Sequence, residues 1–247
     1  MSTTDKAAAE RSGTETPQDL AATGHPLDNP VWHALTGPQQ RFADGSGLAR
    51  RFRPDVTLFA AIADDSSDAW ADLAALVGPR GDAILARRAP IVAHEGWRVL
   101  GTRPGFQMVL EREPAADDAP GTRPLTDDDV PEMVALVALT EPGPFRERTI
   151  ELGGYCGIFV DGRLMAMAGR RADLDDFVEV SAVCTHPDGR RKGYAAAITS
   201  TVARGIIADG KTPILHVAES NPSAKAMYDG LGFVTRTTLN FASVRVR

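Results

Sequence analysis

Cysteine is scarce: Cys156 and Cys184 are the only two. Two thiols cannot build a disulfide framework or a cysteine-based zinc site. Long apolar runs are missing too, since nothing approaches the ~20 residues of a membrane span. An excess of positive charge is also absent. The chain carries −6 at neutral pH, with a sequence pI near 5.4, which argues against nucleic acid and against an anionic membrane surface as partners. Lysine is rare, four residues against 23 arginines, a compositional bias with no functional weight. The polar N-terminal segment holds no apolar stretch of the kind a signal peptide needs, so cytoplasmic location is the expectation.

What is present suffices for a globular protein. Of 247 residues, 43% are hydrophobic and 24% charged, ample for a core with no disulfide or metal staple. Residues 1–27 lack large apolar side chains and read as a disordered tail. A soft, proline-rich stretch at 111–124 places a linker at 116–121. It divides an N-terminal α/β domain, 28–115, from a C-terminal domain, 122–247. Residues 1–121 carry −5 and residues 122–247 carry −1, so the second half is the better host for an anionic ligand.

Period and turn chemistry predict the elements. In the first half these are a strand at 56–62, a helix from Asp68 to Val77 ended by Gly78-Pro79, and three strands in GDAILAR, GWRVLG and FQMVLER. Trp32, Trp70 and Trp97 read as core. In the second half a helix opens at Thr126 and runs to Thr140, where EPGPF breaks it. Strands at 155–160 and 164–168 flank Asp161-Gly162, a hairpin turn signal. A strand follows at 177–185, then a helix with Ala195, Ile198, Val202 and Ile206 on one stripe. A strand at 214–218, a short helix at 221–229 and one or two strands in 233–246 close the chain.

The chemistry concentrates in EVSAVCTHPDGRRKGYAAAITSTVA, residues 179–203. A strand ends, a turn follows, and Arg190, Arg191, Lys192, Gly193, Tyr194 and Ala195 open a helix. Small residues admit close backbone approach, and the first helical turn offers unpaired N–H groups and the positive dipole end. With three cations around it, this is a pyrophosphate site; a solvated basic turn would look similar. Neither a nucleotide P-loop nor a dinucleotide fingerprint is present. Downstream, Asn221, Ala224 and Tyr228 share one helix face, and Gly232-Phe233 follow.

These two separated motifs, Arg190-x-x-Gly193-x-Ala195 and Asn221-x-x-Ala224-x-x-x-Tyr228-x-x-x-Gly232-Phe233, resemble those of the GCN5-related N-acetyltransferase (GNAT) superfamily, most closely its FR47-like branch. The resemblance covers residues ~122–247. It implies an α/β (α+β) fold with a splayed, mixed central sheet flanked by helices. It also implies acetyl-CoA as cosubstrate, no metal, and a small-molecule or peptide amine as acceptor. The backbone of Val183, Cys184 and Thr185 would hold the pantetheine amides, the Arg191–Ala195 turn the pyrophosphate, and Asn221 the pantetheine arm. Tyr228 would lie near the thioester sulfur as general acid, a phenol being protonated at neutral pH.

Glu179 is the candidate base, a carboxylate whose pKa burial among apolar neighbours would raise. A solvated strand-edge glutamate is the plain alternative, and His216, mid-strand, is a rival base or a structural histidine. Cys184 reads as a small core residue. Phe145 and Tyr155 would line the acceptor pocket or pack in the core. A CoA-binding regulatory module without turnover is the competing function. The first half lacks both motifs, and its Gly78-Pro79-Arg80-Gly81 is a poor phosphate turn because proline removes a donor. It is expected to be a degenerate copy of the same fold, arranged in tandem, that binds no CoA and borders the acceptor site.

Overall fold

The computed structural model describes residues 24–114 and 118–247. Eleven strands form one sheet: β1 Ala43–Asp44, β2 Ala49–Phe52, β3 Phe59–Ile62, β4 Asp82–Arg87, β5 Trp97–Leu110, β6 Thr122–Pro124, β7 Cys156–Val160, β8 Arg163–Asp173, β9 Phe177–Thr185, β10 Thr212–Ala218 and β11 Phe233–Val246. Among the described residues five α-helices flank it: α1 Pro30–Thr36, α2 Ser67–Val77, α3 Val130–Thr140, α4 Tyr194–Ala208 and α5 Pro222–Gly230. The expected mixed α/β fold is what the chain adopts. Of the expected tail, residues 1–23 lie outside the described residues. His25 and Leu27 are already buried.

The strand order is β1-β2-β3-β4-β11-β5-β10-β9-β8-β7-β6. Outward from the central β11–β5 pair the two sides follow one pattern, four strands beyond β11 and five beyond β5. Each central strand meets an antiparallel neighbour, β4 or β10. That neighbour runs parallel to the strand joined to it through a helix, β3 through α2 or β9 through α4. An antiparallel strand follows on each side, β2 or β8. The two partners of β11 both come from the first half of the chain, and the two partners of β5 both come from the second.

The two strands expected in GWRVLG and FQMVLER are one, β5. Pro104 lies inside it without cost to the ladder. Its carbonyl faces β10 and accepts from Glu219 N–H at 3.3 Å, so its nitrogen faces the same way. Pairing with β10 ends one residue away, at Gly105 opposite Ala218, so no donor is missed there. The hairpin at Asp161-Gly162 forms as its residues dictate, with φ of 52° and 77°.

The cores follow the sheet faces. In the second half Ile198, Val202 and Ile206 of α4 bury against Ile158, Val178 and Leu215. In the first, Trp70 and Trp97 meet edge to face at 5.2 Å, both buried, while Trp32 is half-buried beneath Arg50. Fully burying such side chains contributes about 1.5–3 kcal/mol each. Among the described residues no helix is long and apolar enough to cross a membrane.

Because β11 finds both neighbours in the first half, a piece spanning 120–247 will not fold as a monomer. Size-exclusion chromatography and amide NMR should show aggregation or a collapsed spectrum, restored by co-expression with residues 1–119. A dispersed spectrum from the isolated piece would count against this.

Candidate functional site

The parallel β9–β10 pair holds register only from Phe177 opposite Thr212 to Val180 opposite Leu215. Beyond that the two strands have no ladder partners in each other. The parting begins at a bulge. Met167 pairs with Cys184 and Gly169 with Ser181, so Ala182 and Val183 together face Ala168. Ala182 takes φ of 54°, a left-handed conformation that costs an alanine energy. Strain of this kind is tolerated where surrounding structure dictates it, and two faces of the site meet here.

On the α4 side lies the expected anion cradle. Arg191 and Gly193 have φ of 62° and 79°, and the first bond closing α4 is Ala197 N–H to the Gly193 carbonyl at 3.0 Å. The N–H groups of Tyr194, Ala195 and Ala196 therefore precede the helical ladder. Arg190, Arg191 and Lys192 are exposed around them. A Cβ built on Gly193 would meet nothing within 4 Å, so the space in front of the turn is open. The Oγ1 of Thr185, at the end of β9, is buried without a partner among the described residues. An open cradle of donors and cations beside an orphaned hydroxyl fits a pyrophosphate-bearing cosubstrate such as acetyl-CoA.

Asn221 caps α5 as its motif requires, its Oδ1 accepting from Ala224 N–H at 3.1 Å. Tyr228 faces inward from the same helix, 7% exposed, with its ring edge-on to Phe233. Burial, with the Cys184 thiol nearby, pushes its pKa up to about 12. Burial likewise pushes Cys184 up to about 11, so this thiol stays protonated and unreactive at neutral pH.

Glu179 departs from expectation. Burial does push its pKa upward, but Arg171 and then His216 outweigh burial and hold it well below the carboxylate range. Its Oε2 accepts from Arg171 Nε at 2.8 Å, and its Oε1 accepts from Arg171 Nη2 and from His216 Nδ1, the latter at 2.7 Å. A second bulge aims Arg171 there: Arg170 pairs with Val180 and Asp173 with Val178, which puts two residues of β8 opposite Glu179.

His216 is locked at its other nitrogen as well. Gln107 Nε2 lies 3.0 Å from His216 Nε2 and donates to the Leu27 carbonyl at 2.9 Å, while Gln107 Oε1 accepts from Arg236 at 2.8 Å. With the amide so oriented, His216 Nε2 must accept and Nδ1 must donate. Both candidate bases are thus held in hydrogen bonds, Glu179 at both carboxylate oxygens and His216 at both ring nitrogens.

On the other side of the bulge lies a narrow cleft bordered by Pro142, Phe145, Tyr155, Arg171, Ser181 and Ala182. It brings together Phe145 and Tyr155, whose rings meet edge to face at 5.8 Å. Tyr155 is buried, which raises its pKa, and it occupies the space a Cβ on Gly169 would need, 2.4 Å from that position. The first half supports this cleft. Thr149 donates to the Val56 carbonyl at 2.6 Å, Arg148 pairs with Asp55 at 2.5 Å, and the guanidinium of Arg171 lies 4.5 Å over the Phe59 ring.

Sequence reasoning did not single out Arg171, Ser181 or Ala182. A second arginine in GRRAD and an alanine in a strand carry no signal of a bulge. In the first half the weak phosphate turn at Gly78–Gly81 follows the C-terminus of α2, where the dipole repels anions, with Gly78 as cap. The turn that does lead into α2 carries Asp64 and Asp65.

Glu179 binds its proton less readily folded than unfolded, where its usual value is 4.5. Its stabilisation is therefore complete above about pH 4.5 and drains away as pH falls. Glu179→Gln leaves Arg171 with no buried counter-charge and should cost about 3–5 kcal/mol at pH 7. Urea unfolding should show that deficit shrinking below pH 4.

A search of curated proteins finds no match. The FR47-like protein family matches residues 155–242. A GNAT-family protein from Novosphingobium aromaticivorans DSM 12444 has 39% identity over 90% of this chain and 99% of its own, with a TM-score of 0.84. A GCN5-related N-acetyltransferase from Kribbella flavida shares the fold at 17% identity, 91% and 96% coverage and a TM-score of 0.64. A Drosophila protein does so at 14% identity, 94% coverage of both chains and a TM-score of 0.55. With its splayed strands, its anion cradle and a 39%-identical relative matched over nearly its whole length, this chain belongs to the GNAT family of acetyltransferases, and its residues 155–242 are similar to the FR47-like proteins.

Proposed function

We propose that the protein is an acetyl-CoA-dependent N-acetyltransferase that passes the acetyl group directly to a primary amine in a ternary complex. The observation that carries this reading is the bulge at Ala182, with a donor-rich anion cradle on one side and a narrow cleft on the other. Acetyl-CoA, when bound, supplies the acyl group as a thioester. Arg190, Arg191, Lys192 and the N–H groups through Tyr194 and Ala195 hold its pyrophosphate. The unpaired edge of β9 at Val183, Cys184 and Thr185 takes its pantetheine arm, with Asn221 and Ala224 across the gap.

Tyr228 donates a hydrogen bond to the departing sulfur. A phenol with a pKa of about 12 is fully protonated at neutral pH and gives up its proton reluctantly, so it serves as a donor more than as a complete acid. Cys184, held as a thiol, is no acyl carrier. Glu179 keeps its charge and acts as an anchor for Arg171 and His216, so the amine loses its proton to water at the cleft mouth. The first half reads as a degenerate copy of the fold, supported by the strand order repeated about β11 and β5. Its Asp64 and Asp65 oppose a pyrophosphate. A cytoplasmic location accords with this substrate pair.

Release of free thiol from acetyl-CoA across an amine panel tests the reading. Thiol release with amine-dependent product supports it, and tight acetyl-CoA binding without turnover on any amine would favour a CoA-responsive regulatory module. Gly193→Glu should abolish acetyl-CoA binding in calorimetry, through strain at positive φ and like charge at the pyrophosphate. Tyr228→Phe should lower turnover by ~10²–10⁴-fold while acetyl-CoA affinity holds.

A further inference from the structure

The cleft beside Ala182 is small. Pro142, Phe145, Tyr155, Arg171, Ser181 and Ala182 leave room in it for about one water molecule. An amine acceptor larger than a methyl group does not enter it as it stands. A methyl group, close to a water in bulk, does.

Position along β9 says which methyl. The anion cradle follows Thr185 at the C-terminal end of β9, and the edge of β9 that faces β10 is unpaired beyond Val180. An arm held by its pyrophosphate at the start of α4 and running back along that edge passes Thr185, Cys184 and Val183 in turn. From Thr185 to Ser181 is roughly 13 Å of extended strand. The far end of the arm, the acyl group, then arrives at Ala182 and Ser181, which border the cleft.

The cleft walls are braced. Tyr155 is buried and fills the notch over Gly169, 2.4 Å from where a Cβ would stand. Phe145 meets its ring edge to face at 5.8 Å. Phe145 is pinned in turn through the next residue. Arg146 N–H donates to Thr149 Oγ1 at 2.7 Å, and that hydroxyl donates to the Val56 carbonyl at 2.6 Å. Thr149 is buried, so water does not compete for either bond. A cleft wall on the second half is thereby tied to the backbone of the first.

We infer that this cleft seats the methyl of the acyl group, that Phe145 and Tyr155 limit the donor to acetyl-CoA, and that Thr149 holds that limit as a positioning residue. This rests on the acetyl-transfer reading above. Each methylene added to the acyl chain must displace a wall or turn the thioester away from the amine.

The test follows thiol release from acetyl-, propionyl- and butyryl-CoA by the full-length protein, with one amine from the acceptor panel. kcat/KM should fall about 10–200-fold for each added methylene. Butyryl-CoA turned over within about tenfold of acetyl-CoA overturns the inference and leaves acyl transfer standing. If no amine on the panel is acylated, calorimetry decides. Butyryl-CoA should then bind at least about tenfold more weakly than acetyl-CoA. A smaller difference overturns the inference, and binding of neither overturns it together with the acetyl-transfer reading.

Phe145→Ala removes a wall, and Thr149→Val removes both hydrogen bonds at nearly constant shape. Each should raise the butyryl-to-acetyl ratio by about tenfold or more. Thr149→Ser keeps the hydroxyl and should keep the native ratio. A native ratio in folded Phe145→Ala overturns the wall assignment. A native ratio in folded Thr149→Val, or a raised one in Thr149→Ser, overturns the positioning role. Where these variants fail to fold, the acyl series on the native protein still decides.

Discussion

One buried carboxylate organises the middle of this molecule. Glu179 is 2% exposed, and a charge so placed is tolerable only if its neighbours compensate it fully. Arg171 and His216 do so, and each is fixed in turn. His216 hands the network to Gln107, Gln107 to Arg236, and Arg236 to Asp28 at 2.8 Å. The links come from β9, β8, β10, β5, β11 and the turn before α1, so the network ties together both ends of the chain. Arg236 earns its position through a bulge in β11, where Thr235 and Thr237 pair with Met108 and Gln107 and leave Arg236 over. Removing any link strands a polar group in the interior.

The same network separates two jobs open to a buried carboxylate. A base needs a proton affinity near the working pH, and an anchor needs a charge that never changes. Glu179 has the second property. Its carboxylate sets the attitude of Arg171, and the guanidinium lies 4.5 Å over the Phe59 ring from the first half. The first half thus contributes to the cleft by packing against its wall. Its own splayed pair, β3 with β4, ends near Asp64, Asp65, Arg87 and Arg88, a surface of mixed sign.

Much of this was legible from residue order. Strand β9 and helix α2 lie within a residue of their expected spans, and Asn221, Pro222 and Gly193 act where capping and turn chemistry put them. Local rules suffice there because the determining contacts are local. They fail where a distant strand decides. GWRVLG and FQMVLER look like two strands because Thr102-Arg103-Pro104-Gly105 reads as a turn. Thirteen paired positions along β11 hold that stretch straight instead. They fail again at Glu179, where apolar neighbours in sequence suggested a raised pKa. The arginine that lowers it is eight residues away along the chain and is turned inward by a bulge. Ala182 is the extreme case: nothing about an alanine announces a left-handed residue.

The position of β11 has a consequence for synthesis. The first half is a sheet whose β4 edge is covered by β11 from the second half, Ser243 pairing with Ile84 and Val244 with Ala83. On the ribosome that edge stays bare until β11 emerges, and β5 waits first for β10 and then for β11. The halves therefore cannot fold one after the other as they are translated. Strand pairings this far apart in sequence close slowly, and an open edge meanwhile invites pairing with another nascent chain. Translation rate and chaperone access then govern the yield of this protein more than the stability of its finished sheet.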